Sequence, residues 1–440
     1  MARDHIELSE SESESEVESD RSHGSISVSE WPDPALNLSR DVFLYGFVFG
    51  TAASAYQVEG EALKGGRGPS IWDAFVKIPG LIPNNATGDI TDYEYHHYKE
   101  DIDIMKEHNF DAYRFSISWS RIFPNGTGAI NWEGVDYYDR LIDNLILKGI
   151  IPYVNLYHYN LPLALQNEYL GWLSPKIVVK NWFTFNEPRV VAALGYDTGS
   201  QAPGRATGSK FGGNSSIEPY IVAHNLILSH AVASNKEKLD FFLDFAWYKP
   251  HTYSDNDKAA AQRAKDFHLR WFIHPLTYGY YPQSIQDIVK EILPKFTNNE
   301  VELVRDDRNG VPIGPRADSY WLYIVSWGLY KAVTYVKENY GNPIVFLSEN
   351  GMDQTGNVTL PKGLQDTQRR HFYHNYITEL KRAIDDGASV IGYFAWSLLD
   401  NFEWRLGYTS RFDIVYVDFK NNKRFPKELA RWFKKILQRS

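Results

Sequence analysis

From residue 46 onward the chain repeats one pattern: a short apolar run, a turn rich in glycine or polar residues, then a stretch with helical spacing. Strand-like runs fall at 47–51, 112–117, 151–156, 182–186, 241–248, 344–348 and 390–397. Helical patterns fall at 94–107, 137–147, 219–233, 259–278, 321–339, 364–385 and 427–437. Strands separated by helices pair in parallel, so the expected architecture is α/β. A (β/α)8 barrel takes about 250 residues, more with insertions, so one barrel domain over 43–440 accounts for most of the chain. Residues 1–36 alternate Ser and Glu without hydrophobic periodicity and read as a disordered acidic tail.

Charge and composition narrow the chemistry. A net charge of −9 does not suit a phosphate-neutralising surface, so no nucleic-acid partner is expected. No apolar run is long enough to span a bilayer. The acidic start lacks the basic and apolar regions of a signal peptide, which leaves the compartment open. With no cysteine there are neither disulfides nor thiolate metal sites. His96 and His97 sit at a helix start without convergent carboxylates, and no phosphate-cradling glycine loop appears, so no metal and no cofactor are expected. The 13 Trp, 29 Tyr and 24 Phe suit sugar recognition, because pyranose C–H faces stack on aromatic rings, although many such rings serve to fill a core.

Two glutamates carry the functional signal. Glu187 lies in TFNEP (184–188) and Glu349 in LSENG (347–351), each after an apolar run and each closed by Pro or Gly. A barrel strand delivers a carboxylate to its C-terminal rim in this way. Two carboxylates facing one cavity are what glycosidic bond hydrolysis needs, one to protonate the leaving oxygen and one to act at the anomeric carbon. A single Glu at a strand end is more often a solvated or ion-paired rim residue; two matching segments in this order favour catalysis.

TFNEP and SENG, together with FVFGTAASAYQVEG (47–60), YRFSISWSRIFP (113–124) and FAWSLLDNFEW (394–404), resemble the family 1 glycoside hydrolases, with the plant β-glucosidases most similar. The resemblance runs with interruptions from about residue 43 to the C-terminus and implies a TIM barrel. It implies Glu187 as general acid and base, Glu349 as nucleophile in a retaining mechanism, and Arg114 as the group that keeps Glu349 ionised. It also implies Gln57, His158, Asn186 and Glu403 as hydroxyl contacts and Trp396 and Trp404 as the sugar platform. Trp321 matches the aglycone-side tryptophan, and Phe412 lies near the mouth. The implied substrate is a small O-linked β-glucoside, because relatives that cleave thioglucosides carry Gln at the acid position. Oligomeric state is left open.

Departures from the family pattern are specific. His158 is followed by Tyr159 and Asn160 where the family shows Trp and Asp, and Asp413 stands at a usual Gly, where a strained backbone is expected. KIVVKNW (176–182) runs straight into the fourth strand where a full helix belongs. PKFTNNEVELV (294–304) passes directly to RDDRNGVPIG (305–314), so the sixth strand looks absent, and the linker at 235–239 is short. A barrel incomplete around helix 3 and strand 6 is therefore expected. The alternative reading is a catalytically impaired sugar-binding homologue or an unstable product of the same family.

Overall fold

The computed structural model describes residues 38–177, 185–234, 244, 246–294, 315–319 and 321–439. Among them, five strands pair in parallel: β1 (Val48–Ala52), β2 (Ala112–Ser116), β3 (Ile151–Asn155), β4 (Val345–Asn350) and β5 (Val390–Trp396), in the order β3-β2-β1-β5-β4. All five coincide with strand-like runs of the sequence to within a residue or two. The run at 182–186 lies largely outside the described residues, as does the tail at 1–36. In the run at 241–248 the described positions, 244 and 246–248, are not in a strand.

The sheet curls upon itself. β2 is buried along its whole length, as a parallel strand covered on both faces must be. The ring of Tyr153 on β3 lies 5.5 Å from Phe346 on β4 and 5.1 Å from Phe394 on β5, so the two ends of the described sheet face each other across a shared interior. Gly50 makes that layer possible: a Cβ there would stand 2.3 Å from the Phe394 ring. The layered interior of a (β/α)8 barrel is filled in this way.

Helices cover the outside. The helix Trp132–Leu147 buries Tyr137, Tyr138, Leu141 and Leu145, one face at helical spacing, and ends where Gly149 adopts φ +68°. The helical pattern at 259–278 is realised as Asp255–Lys265, a π-helical turn Asp266–Arg270, and Trp271–Tyr278, and the pattern at 321–339 begins only at Ser326. Asp413 does not have the strained backbone expected at a usual Gly position, since its φ is not in the left-handed region. Its cost is electrostatic instead. Burial, then the Asp400 charge, push its carboxyl well above the usual range, and Asn401 donates to it at 3.3 Å.

A second buried acid is worse placed. Asp92 is fully buried with no hydrogen bond to either oxygen, flanked by Thr91 (φ +49°) and Tyr93 (φ +59°). The nearby Arg424 guanidinium is committed to both oxygens of Asp101, at 2.8 and 3.1 Å. Burial pushes the Asp92 carboxyl well up, so the folded state holds its proton where the unfolded chain releases it. Relative to an exposed Asp, stability is full below the unfolded pKa and declines as pH rises toward the folded one. Asp92→Val is expected to gain about 1–3 kcal/mol by removing two buried polar atoms that make no hydrogen bond. Thermal melts should show a gain in Tm that is larger at pH 8 than at pH 4, and a loss of Tm at both would refute it.

Candidate active site

The strand ends and the loops after them bring the predicted residues together. Gln57 lies in the turn Ala55–Val58 after β1, Arg114 within β2, His158 just past β3, and Glu349 next to last in β4. Trp396 ends β5, and Glu403 and Trp404 lie in the loop that follows. Glu187 precedes the helix Pro188–Tyr196 with φ +41°, a left-handed conformation uncommon for a non-glycine residue and frequent at functional sites. Gly351 must be glycine, because a Cβ would stand 2.2 Å from the Trp396 carbonyl oxygen.

Arg114 is the hub. It is buried, contacts Glu349 Oε1 through Nη1, and donates from Nη2 to Asn186 Oδ1 at 2.7 Å. That contact orients the Asn186 amide, whose Nδ2 faces His158 Nε2 at 3.1 Å and the Tyr159 hydroxyl at 3.4 Å. With Nε2 accepting, the imidazole proton sits on Nδ1. Burial and the Arg114 charge hold His158 well below its ordinary pKa, so the ring is neutral. It stacks against both Trp396 and Trp404, with centroids 5.8 Å away in each case.

The carboxyls are tuned apart. Burial, the Glu349 charge and Asp244 push Glu187 up to about 8, against the hydrogen bond from the Tyr159 hydroxyl to its Oε2. Burial raises Glu349 above its ordinary value on balance, although the direct Arg114 contact pulls the other way and favours the ionised form. Glu403 is pushed up to about 8 by burial and by Asp353 and Glu349, and it accepts from Gln57 Nε2 at 3.2 Å. Gln57 Nε2 also donates to Asn401 Oδ1 at 2.9 Å, and Ser54 donates to Gln57 Oε1 at 2.6 Å, so the amide cannot flip. Gln57, Arg114, His158 and Asn186 are buried, whereas Glu187, Glu349 and Glu403 are each partly exposed. A molecule entering the site therefore meets carboxyl groups held by a rigid polar wall.

Trp321 and Phe412 form a separate pair. Phe412 is buried against Ala52 and Trp396 and does not itself line an open mouth, while Trp321 is 53% exposed and stacks on it at 6.4 Å. Trp404 packs in an aromatic core with Tyr56 and Trp72.

The comparisons with known proteins decide the family. The signature of Glycosyl hydrolase family 1 matches residues 39–179, 178–314 and 306–440. The chain belongs to glycosyl hydrolase family 1. It is 58% identical to β-glucosidase 26 of Oryza sativa subsp. japonica over 476 aligned positions, covering 92% of this chain and 93% of that protein. It is 57% identical to β-glucosidase 44 of Arabidopsis thaliana, covering 92% of each. The crystal structure of a rice β-glucosidase superposes with a TM-score of 0.86 at 41% identity, covering 91% of this chain and 100% of that one. A family 1 β-glucosidase from the fungus Humicola insolens, in complex with glucose, gives 0.84 at 34% identity over 91% and 98%. The fold is thus the family's TIM barrel.

The family match is broken at 178–179 and at 306–314, near the two places where the sequence leads one to expect a missing helix and a missing strand. An alignment of 476 positions is longer than the 440-residue chain, so the rice relative has residues where this family 1 member has none. The match runs unbroken through 235–239. Sequence reasoning missed Tyr159 and Asn401 as members of the polar wall and Asp244 behind it. Tyr159 stood out only as a departure from the family pattern, and the signal for Asp244 was a lone acid inside the apolar run FFLDFAW (241–247).

Proposed function

We propose that the chain is a retaining β-glucosidase acting on small O-linked β-D-glucosides, with Glu187 as acid and base and Glu349 as nucleophile. One observation carries the reading: Arg114 contacts Glu349 directly and favours its ionised form, whereas burial and the Glu349 charge push Glu187 up to about 8. Glu349 attacks the anomeric carbon as Glu187 protonates the departing oxygen, which leaves a glucosyl ester on Glu349 and a free alcohol. Glu187, now a carboxylate, takes a proton from water as that water displaces Glu349, and the enzyme returns to its starting protonation. Asn186, oriented by Arg114, is placed to meet the 2-hydroxyl, where contacts strengthen at the transition state. Gln57 and Glu403 meet the far hydroxyl edge, and Trp396 and Trp404 back the ring. The rice and Arabidopsis β-glucosidases and the glucose complex of the Humicola enzyme support glucose as the glycone. Trp321 is the exposed ring available to an aglycone, with Phe412 packed beneath it.

The breaks in the family match favour a second reading, a homologue that keeps the residues but has lost turnover. Hydrolysis of 4-nitrophenyl β-D-glucoside by the purified protein, with circular dichroism on the same sample, separates the two. Turnover is the expected result, and a well-folded protein without turnover would establish the second reading.

A further inference from the structure

The ring available to an aglycone stands on a hairpin, and that hairpin is tied down by a buried acid that the reaction does not use. Trp321 lies in a turn closed by Ile324 N–H to the Pro315 carbonyl at 2.8 Å and Ala317 N–H to the Leu322 carbonyl at 2.9 Å, with Arg316 and Tyr323 paired as an antiparallel bridge. Leu322 packs on the cluster of Ala52, Trp396 and Phe412. Phe412 is held by its own anchor: buried Arg369 contacts its carbonyl and that of Asp413, and donates from Nε to the Met352 carbonyl at 2.8 Å. The hairpin is fastened by Asp353. Its Oδ2 accepts from Ser319 Oγ at 2.6 Å and from Ser410 Oγ at 2.8 Å, and its Oδ1 accepts from the Ser319 N–H at 3.2 Å. All three residues are buried. Ser319 stands two residues before Trp321 and Ser410 two residues before Phe412, so one carboxylate fastens the backbone beside both rings.

We infer that Asp353, acting through Ser319, is a positioning residue that sets the ring of Trp321 for the aglycone and so fixes the preference for aromatic leaving groups. The inference rests on the reading of Trp321 as the aglycone-side ring. Aromatic stacking holds only over a limited range of distance and tilt, and Trp321 meets Phe412 at 6.4 Å with the planes 23° apart. A half-exposed ring on an untethered hairpin would spread over many orientations, and a ligand would have to order it on binding. Three hydrogen bonds to one buried carboxylate remove that freedom beforehand. A staple that merely stabilised the loops would leave the balance between glycone and aglycone binding unaltered.

Calorimetric binding of glucose and of 4-nitrophenyl 1-thio-β-D-glucoside to the full chain reads the two halves of the site separately, without need of turnover. Ser319→Ala, which keeps the Asp353 charge that acts on Glu403, should weaken the thioglucoside by roughly three- to tenfold, the worth of one aromatic contact, and leave glucose unchanged. Asp353→Ala should weaken the thioglucoside at least as much. Asp353→Asn, whose amide can still meet both hydroxyls and the Ser319 N–H, should recover most of the loss. In a Trp321→Ala background Ser319→Ala should add nothing further, since the contact it positions is already gone. An unmoved thioglucoside affinity in folded Ser319→Ala, a parallel loss of glucose, or full additivity with Trp321→Ala would overturn the inference. Should Asp353→Ala not fold, Ser319→Ala decides by itself. A thioglucoside affinity unmoved in Trp321→Ala would remove that ring from the aglycone site, whereas a loss there with none in Ser319→Ala sinks the present inference alone. A folded, unaltered chain that binds neither ligand refutes both.

Discussion

Glu349→Gly is expected to lower kcat/KM on 4-nitrophenyl β-D-glucoside by on the order of 10⁴-fold or more, because the nucleophile and its charge are removed together. Arg114 keeps its bond to Asn186 in the variant, so the polar wall should stay in place. Formate, small enough to occupy the vacated space and opposite in charge to the Arg114 guanidinium that faced Glu349, should restore part of the activity. Partial rescue by formate with none by a neutral amide of similar size would place the missing function in a carboxylate at this position. Unchanged turnover in Glu349→Gly would remove Glu349 from the reaction, whatever its contact with Arg114.

Glu187→Gln should separate substrates by leaving group. General acid catalysis contributes typically 10²–10⁴-fold, so alkyl β-glucosides should lose about that factor in kcat/KM. A 2,4-dinitrophenyl glucoside leaves without protonation, and its glucosylation step should be nearly spared. The second step still lacks its base, so the variant should release a burst of dinitrophenol and then turn over slowly. Equal losses on both substrates, with no burst, would argue against Glu187 as the acid. The pH profile follows from the same geometry. Glu187 must hold its proton for glucosylation, so kcat/KM in the unaltered enzyme should fall as pH rises through about 8, and Glu187→Gln should remove that limb.

Much of this was legible in the residues. Each described strand follows an apolar run flanked by glycine or polar turns, and Glu349 could be placed at a strand end because Ser348, Glu349 and Asn350 follow an apolar run of strand length. The two breaks in the family match were legible as well, since 173–179 leaves room for at most a couple of helical turns before the fourth strand run and 294–304 passes directly to 305–314 without a strand. At 241–248 the described positions 244 and 246–248 are not in a strand, because apolar content alone does not distinguish a strand from an irregular segment. Residue type alone did not tell the surroundings of the aromatic rings apart either: Phe412 is buried against Ala52 and Trp396, and Trp404 among Tyr56, Trp72 and His158, while Trp321 stands open.

What the chain determined by itself is the inventory: two glutamates at rim positions, an arginine on the second strand, and amide, imidazole and indole groups after the others. These are local features, set by strand periodicity and by the Gly and Pro that end each run. The tertiary structure decided which carboxyl meets the arginine and how far burial raises each. That depends on Arg114 reaching Glu349, on Tyr159 and Asp244 standing near Glu187, and on the loss of water around all of them. Coulomb energies at these separations vary with distance and local dielectric, and neither exists until residues far apart in sequence share one low-dielectric wall.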